Sequence, residues 1–326
     1  MSIYNDHYYI TGLIRTLESK LLKKSQRTQM LDSSSAAEAY IILNDTDYSE
    51  VLNEFQDVTQ YEKMIEKSLL ETKRRLKSSC LDKQILNILW FYYDVYNAKT
   101  CVKAALQNKP FDTISSLLSS YGAIDKKQIR DFAFSNYYLS QFSLAKTKAE
   151  NLYSQFKDIR FVDFVFDKVL FEKMLQWSNE LSSDLITDLI KKWIDVNNAQ
   201  ISLRLDGADK NEIGEYIFIP GGNIPVKHFS SHGEESKMIL SKLFTANDAI
   251  SESLEKSNTF QLLEKHSSDV LTKFMNKVRY VSDGPEVVFA YWWARKKSSE
   301  VIRTILMGKL NDIDNEAIRK NLKILY

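Results

Sequence analysis

Residues 85–106 read ILNILWFYYDVYNAKTCVKAAL. Within them Ile85, Ile88, Leu89, Tyr92, Val95, Tyr96, Val102 and Leu106 recur at helical spacing and predict one apolar helix face. The surrounding chain is as telling as the stretch itself. No Gly or Pro occurs between Gly12 and Pro110, between Gly122 and Gly207, or between Gly233 and Gly284. The 326 residues hold nine Gly and four Pro, whereas average usage is about 7% and 5%. A β-rich fold of this size needs many tight turns, and tight turns use those residues for steric reasons. The expectation is an all-α chain.

Long helical segments are expected at about 3–24, 54–107, 146–206 with a break near Asp158, and 247–308. Shorter, more broken patterns lie between them at 25–50, 111–143, 208–245 and 311–326. Asp283-Gly284-Pro285 suits a turn followed by a new helix from Pro285 to Met307, on the order of 35 Å long.

Composition narrows the function classes. Lys and Arg total 44 against 43 Asp and Glu, a net charge of +1. No sequence-wide basic field exists for nucleic acid or an anionic membrane. Two cysteines, Cys80 and Cys101, cannot make a disulfide framework and suit a reducing compartment. The start, Met1-Ser2-Ile3-Tyr4-Asn5-Asp6, lacks a signal-peptide pattern. The longest apolar runs, Ile88–Tyr93 and Val287–Ala294, fall short of the roughly 20 residues of a membrane-spanning helix. A soluble, cytoplasmic protein is expected.

A weak internal repeat runs through the chain. Asp94-Val95-Tyr96-Asn97-Ala98 recurs as Asp195-Val196-Asn197-Asn198-Ala199, 101 residues on. Gly122-Ala123-Ile124 recurs as Gly222-Asn223-Ile224 after 100. Ile124-Asp125 with Ile129-Arg130 matches Ile313-Asp314 with Ile318-Arg319 after 189, close to two periods. Ser298 and Val301 stand where a third Asp/Asn pair is expected. Three helical units of about 100 residues follow: 51–145, 146–246 and 247–326, with 1–50 packing against the last.

Chemistry is scarce. Pro220-Gly221-Gly222 lacks the Gly-Lys-Ser/Thr of a phosphate loop, and no G-x-G-x-x-G occurs. His228 and His232 sit at i, i+4, but the intervening Phe229-Ser230-Ser231 lacks the Glu of a zinc hydrolase helix, and His7 and His266 are remote in sequence. Cys80 and Cys101 have no His between them for a nucleophile pair and read as packing thiols. Asp94/Asn97 and Asp195/Asn198 each place an acid and an amide on one helix face. They recur with the period of the fold, so they are expected to be buried contacts fixing how helices meet, not a catalytic site. Lys73-Arg74-Arg75 and Arg295-Lys296-Lys297 read as solvated helix faces. Trp90-Phe91-Tyr92-Tyr93 and Tyr291-Trp292-Trp293 read as core, or as an aromatic-rich interface. No catalytic residue, cofactor or metal site is expected.

The ends of the chain carry a family resemblance. The tail has Pro285, Tyr291, Glu300, Ile302-Arg303, Gly308-Lys309, Ile318-Arg319, Leu322 and Tyr326; the head has Tyr8-Tyr9, Gly12, Arg15, Glu18, Leu21-Leu22, Leu43, Thr46 and Tyr48. Together with the Asp-x-x-Asn pairs, these resemble the C subunit of the prokaryotic V-type/A-type ATPases, related to the d subunit of the eukaryotic vacuolar enzyme. Ser298 and Val301 depart from the Glu and Asn of the family. The resemblance implies a funnel-shaped, non-catalytic central-stalk subunit, one copy per complex, on the cytoplasmic face of the membrane. It would receive the central shaft and pass torque to the ring of membrane proteolipids, so that ATP hydrolysis drives H⁺ or Na⁺ transport, or the reverse. No nucleic-acid partner and no membrane span are implied. The alternative is a helical-repeat scaffold for protein–protein interaction, although solenoid repeats usually run about 20–50 residues.

Overall fold

The computed structural model describes residues 6–135, 137–204, 210–230 and 260–326. Among these every regular element is helical and there is no strand. The chain divides into two compact units, one made of residues 1–83 and 253–326, the other of residues 84–252.

The first unit opens with α1 (Asp6–Glu18), α2 (Lys24–Asp32), α3 (Ala36–Ile41) and α4 (Ser49–Leu52), followed by α5 (Tyr61–Ser79). Ser35 caps α3 by accepting from the Glu38 N–H, and Glu38 reaches back to the Ser34 N–H, a reciprocal arrangement that satisfies otherwise unpaired donors.

The second unit holds α6 (Lys83–Leu106, its first residue belonging to the other unit), α7 (Lys126–Phe134), α8 (Ser143–Phe156), α9 (Arg160–Glu180), α10 (Asp184–Arg204), α11 (Lys210–Ile217) and α12 (Lys227–Ser230). The chain returns to the first unit with α13 (Phe260–Met275), α14 (Pro285–Leu310) and α15 (Asn315–Asn321).

The expected long segments are divided more often than the Gly and Pro positions indicate. Segment 54–107 breaks at Cys80–Asp82, where Cys80 turns extended at φ −96° and ψ 120°. Segment 3–24 ends its helix at Glu18. Segment 146–206 breaks at Lys157, beside Asp158, and again at Ser182. Lys157, Ser182, Asn108 and Asp312 all adopt left-handed backbone with φ between 53° and 55°. Each takes a conformation usually left to Gly, at a cost of about 1–2 kcal/mol. The first part of segment 247–308, and much of 208–245, lie outside the described residues. At Asp283-Gly284-Pro285 the turn is as expected: Gly284 has φ +130° and Pro285 opens α14. That helix runs on to Leu310, 26 residues in all.

In the first unit, α14 is the central rod, packed by α1, α2, α3 and α5. Val287, Val288, Phe289, Tyr291 and Trp292 are buried along it, each worth about 1.5–3 kcal/mol of transfer free energy. In the second unit, α9 packs on α8, α10 and α11. Its core is aromatic: Phe91 stacks on Phe142 at 5.5 Å and meets Trp177 edge-on at 5.1 Å, while Phe142 also contacts Phe132 and Phe166. The α6 face is broader than its periodicity suggests. Trp90, Phe91 and Tyr93 are buried, whereas Tyr92 and Tyr96 are partly exposed.

Candidate functional site

The residues marked by the repeat form two matching clamps in the second unit. Asp94 and Asn97 on α6, and Asp195 and Asn198 on α10, are each at most 2% exposed. Asp94 Oδ2 accepts from the Ala123 N–H at 3.1 Å and Oδ1 from Ile124 N–H at 2.9 Å. Asn97 donates from Nδ2 to the Ser119 carbonyl at 2.9 Å and accepts at Oδ1 from the Ser119 N–H at 2.8 Å. One period later Asp195 accepts from Asn223 N–H at 3.1 Å and Ile224 N–H at 3.0 Å. Asn198 donates to the Ile219 carbonyl and accepts from its N–H, both at 2.8 Å. The four bonds of one clamp are thus the four bonds of the other, on backbone groups 100 residues apart.

Asp94 and Asn97 bind α6 to the loop before α7, and Asp195 and Asn198 bind α10 to the loop after α11, and not to a neighbouring helix as expected. The reason lies in the donors. A loop leaves backbone N–H groups unpaired, and a buried carboxylate is stabilised by accepting two of them. Glycine makes the approach possible. A Cβ at Gly122 would lie 2.2 Å from Asp94 Oδ1, and one at Gly222 would lie 2.1 Å from Asp195 Oδ1. Burial pushes the Asp195 carboxyl up, opposed by the Ile224 and Asn223 amides. With both oxygens engaged and the side chain enclosed, this is a strut without an open face for substrate.

The tail echoes the first loop. Asp125 caps α7 through the Lys127 N–H at 2.8 Å, and Asp314 caps α15 through the Glu316 N–H at 2.9 Å. Ile129 and Ile318 are both buried.

The first unit holds a charged centre that the sequence pattern misassigned. Arg295 and Lys297, expected on a solvated face, are 1% and 7% exposed. Arg295 forms an ion pair with Asp47, donates to Ser68 Oγ at 2.5 Å and Thr72 Oγ1 at 3.2 Å, and lies 4.6 Å from the Tyr48 ring centroid. Burial pulls the Arg295 guanidinium down, but Asp47, Tyr48 and Tyr291 more than reverse this, so it stays cationic. The pair ties residues before α4 to α5 and α14. One signal was available: Arg295 directly follows the apolar run Val287–Ala294 on one helix, so a solvated face there would have left no side for the core. Lys297 donates to Ser268 Oγ and Glu300 at 2.9 and 3.0 Å, and Lys323 meets the same Glu300 at 3.1 Å. Despite burial, these two lysines and Lys296 bring the Glu300 carboxyl down to about 2.

Other candidates are placed as follows. His228 is half-buried at the start of α12, while His232 lies outside the described residues. Burial lowers His266. Burial pushes the Cys80 thiol up to about 11 and Cys101 up to about 12, far from the thiolate a nucleophile needs. Among the described residues no group of three or more His, Cys, Asp or Glu could hold a metal ion, and no helix is long and apolar enough to cross a membrane.

Comparison with known proteins extends over the same features. The chain is 22% identical to the A-type ATP synthase C subunit of Methanocaldococcus jannaschii, over 96% of this chain and 85% of that protein. It is 26% identical to the protein of the same description in Thermococcus kodakarensis, over 74% of this chain and 68% of the other. The Pyrococcus horikoshii protein, again described as an A-type ATP synthase C subunit, is 24% identical over 67% of this chain and 62% of its own length. The family model described as ATP synthase (C/AC39) subunit matches residues 10–321. That span takes in both clamps, the Arg295 centre and the capped tail helix, and the chain belongs to the ATP synthase (C/AC39) subunit family.

Proposed function

We propose that this chain is the non-catalytic central-stalk subunit of a V-type/A-type rotary ATPase, coupling the central shaft to the membrane proteolipid ring. The observation that carries this reading is the family match over residues 10–321. The build of the chain supports it. A part that transmits torque needs stiff rods whose ends do not give, and here the clamps fasten α6 to the loop before α7 and α10 to the loop after α11. Arg295 likewise holds residues before α4 against α5 and α14.

The proposal includes three similar helical units around an axis, forming a funnel that receives the shaft. Besides the two clamps, a recurring ion pair supports this arrangement. Lys103 on α6 meets Asp163 on α9 at 3.0 Å, and Arg303 on α14 meets Glu62 on α5 at 2.6 Å. The cations stand 200 residues apart and the acids 101, as two periods and one would place them. The subunit sits peripherally on the cytoplasmic face, one copy per complex, and the reaction drives H⁺ or Na⁺ movement or runs towards ATP synthesis.

Affinity purification of a tagged copy from its own cells tests this. A shaft subunit and a highly apolar proteolipid should co-purify, and the isolated chain should hydrolyse no ATP. Recovery without either partner, or ATP turnover abolished by a point substitution in this chain, would overturn the reading.

A further inference from the structure

Lys168 on α9 differs from the other lysines that meet this helix. Lys99 and Lys103 pair with Asp167 and Asp163. Lys168 is half-buried, makes no ion pair among the described residues, and donates from Nζ to the Glu215 carbonyl of α11. It borders an open cleft of about 480 Å³ that Phe218, Val226, Lys227 and Ser230 also line, a volume in the range of small-molecule sites. Burial and the like charge of Lys148 on α8 bring its ammonium down to about 8, against the attraction of Glu215. Helix α10, which also packs on α9, adds no charge to that balance.

An amine that is reached from a cleft and held without a counter-ion is a nucleophile. We propose that Lys168 is an acylation site, taking an activated acyl group from an acyl thioester or an acyl phosphate that enters this cleft. The neutral Nζ attacks the acyl carbon, and an N–C bond forms as the C–S or C–O bond breaks. The thiolate or phosphate leaves with the electron pair, and the surplus Nζ proton passes to it or to water. Nothing is oxidised or reduced. A short acyl chain then has the apolar walls of Phe218 and Val226 beside it, while Lys227 suits the phosphates of coenzyme A or of an acyl phosphate. Lys297 is the contrasting case. Burial lowers it too, yet it is 7% exposed and pairs with Glu300, so no donor reaches it.

The inference is independent of the coupling reading, because it concerns one amine of the isolated chain. The purified full chain is treated with acetyl-coenzyme A, or separately with acetyl phosphate, and early acetylation is measured site by site by mass spectrometry between pH 7 and 10. At pH 8 Lys168 is about half neutral, roughly a hundredfold more than an ordinary lysine. A weaker nucleophile loses about tenfold of this, taking the slope known for thiols. Lys168 should therefore react about tenfold faster than exposed Lys227 in the same tube, and its rate should level off above about pH 8. Lys297 should stay unmodified until the chain is unfolded. Lys168→Arg, its folding verified by circular dichroism, should remove the first acetyl group from the intact mass. Selective acetylation by either donor supports the proposal and identifies the source. Lys168 reacting no faster than Lys227 with both donors, or a rate at Lys168 still climbing at pH 10, would overturn it.

Discussion

Replacing Gly122 with Ala tests the clamp directly. The new Cβ would sit 2.2 Å from Asp94 Oδ1 and 3.2 Å from its Cγ. Ordinary contact requires a displacement of about 1 Å, and the enclosed Asp94 side chain cannot move that far while keeping both loop amides. The two bonds at risk, to Ala123 and Ile124 at 3.1 and 2.9 Å, involve a carboxylate and are worth about 1.5–3 kcal/mol each. Against this, Ala restricts the unfolded chain and returns about 0.4–1 kcal/mol. The expected net loss is about 3 kcal/mol, or roughly 6–12 °C in Tm at about 2–4 °C per kcal/mol. Gly222→Ala should cost about as much, its Cβ lying 2.1 Å from Asp195 Oδ1. Gly12→Ala is the control: nothing lies within 4 Å of its Cβ, and in a helix the change should gain about 0.5–1 kcal/mol. Urea titration of the three variants measures this. Combining Gly122→Ala with Asp94→Ala should cost less than the sum of the two, because removing the carboxylate opens the space. A Gly122→Ala protein within about 0.5 kcal/mol of the parent, the usual range of an inert surface change, would refute the strut.

Arg295→Met leaves Asp47 buried without its cation and should cost about 3–5 kcal/mol, whereas Arg295→Met with Asp47→Leu should recover most of it; urea midpoints of the three proteins decide. Ser182→Gly relieves a left-handed residue with φ 53° and should raise stability by up to about 1 kcal/mol, read as an increase in Tm. Glu300 has its carboxyl lowered from 4.5 to about 2 by Lys297, Lys323 and Lys296, against its burial. Its stabilising contribution is therefore complete above about pH 4.5 and lost as the pH falls towards 2. Thermal melts of the parent should steepen in that window, and those of Glu300→Gln should flatten there.

The all-α class was legible because helix formation depends on local spacing and on the absence of turn residues, both visible in residues 85–106. The breaks within the rods were not. Lys157 and Ser182 end helices in left-handed backbone, a conformation imposed by packing on residues whose own preference is weak, so no Gly or Pro marks the place. Asp94, Asn97, Asp195 and Asn198 could be picked out because a shared contact preserves its residues with the period of the fold. What they hold could not be read, since their partners are backbone groups of loops whose side chains are unconstrained: Ser119 and Ile219 occupy the same position. Gly122 and Gly222 were the one trace of that close approach. Arg295 went astray for another reason. Three consecutive cations look solvated, and the acid that neutralises the first, Asp47, lies far off in sequence.

The central claim is that this chain passes torque between shaft and ring while performing no chemistry itself. ATP-driven ion uptake by vesicles carrying the complete complex, with ATP hydrolysis followed in the same samples, tests it most directly. When this chain is removed and its absence verified, hydrolysis by the catalytic head should persist while uptake stops, and adding the purified chain back should restore uptake. Full ATP-driven uptake by complexes lacking the chain would contradict the account.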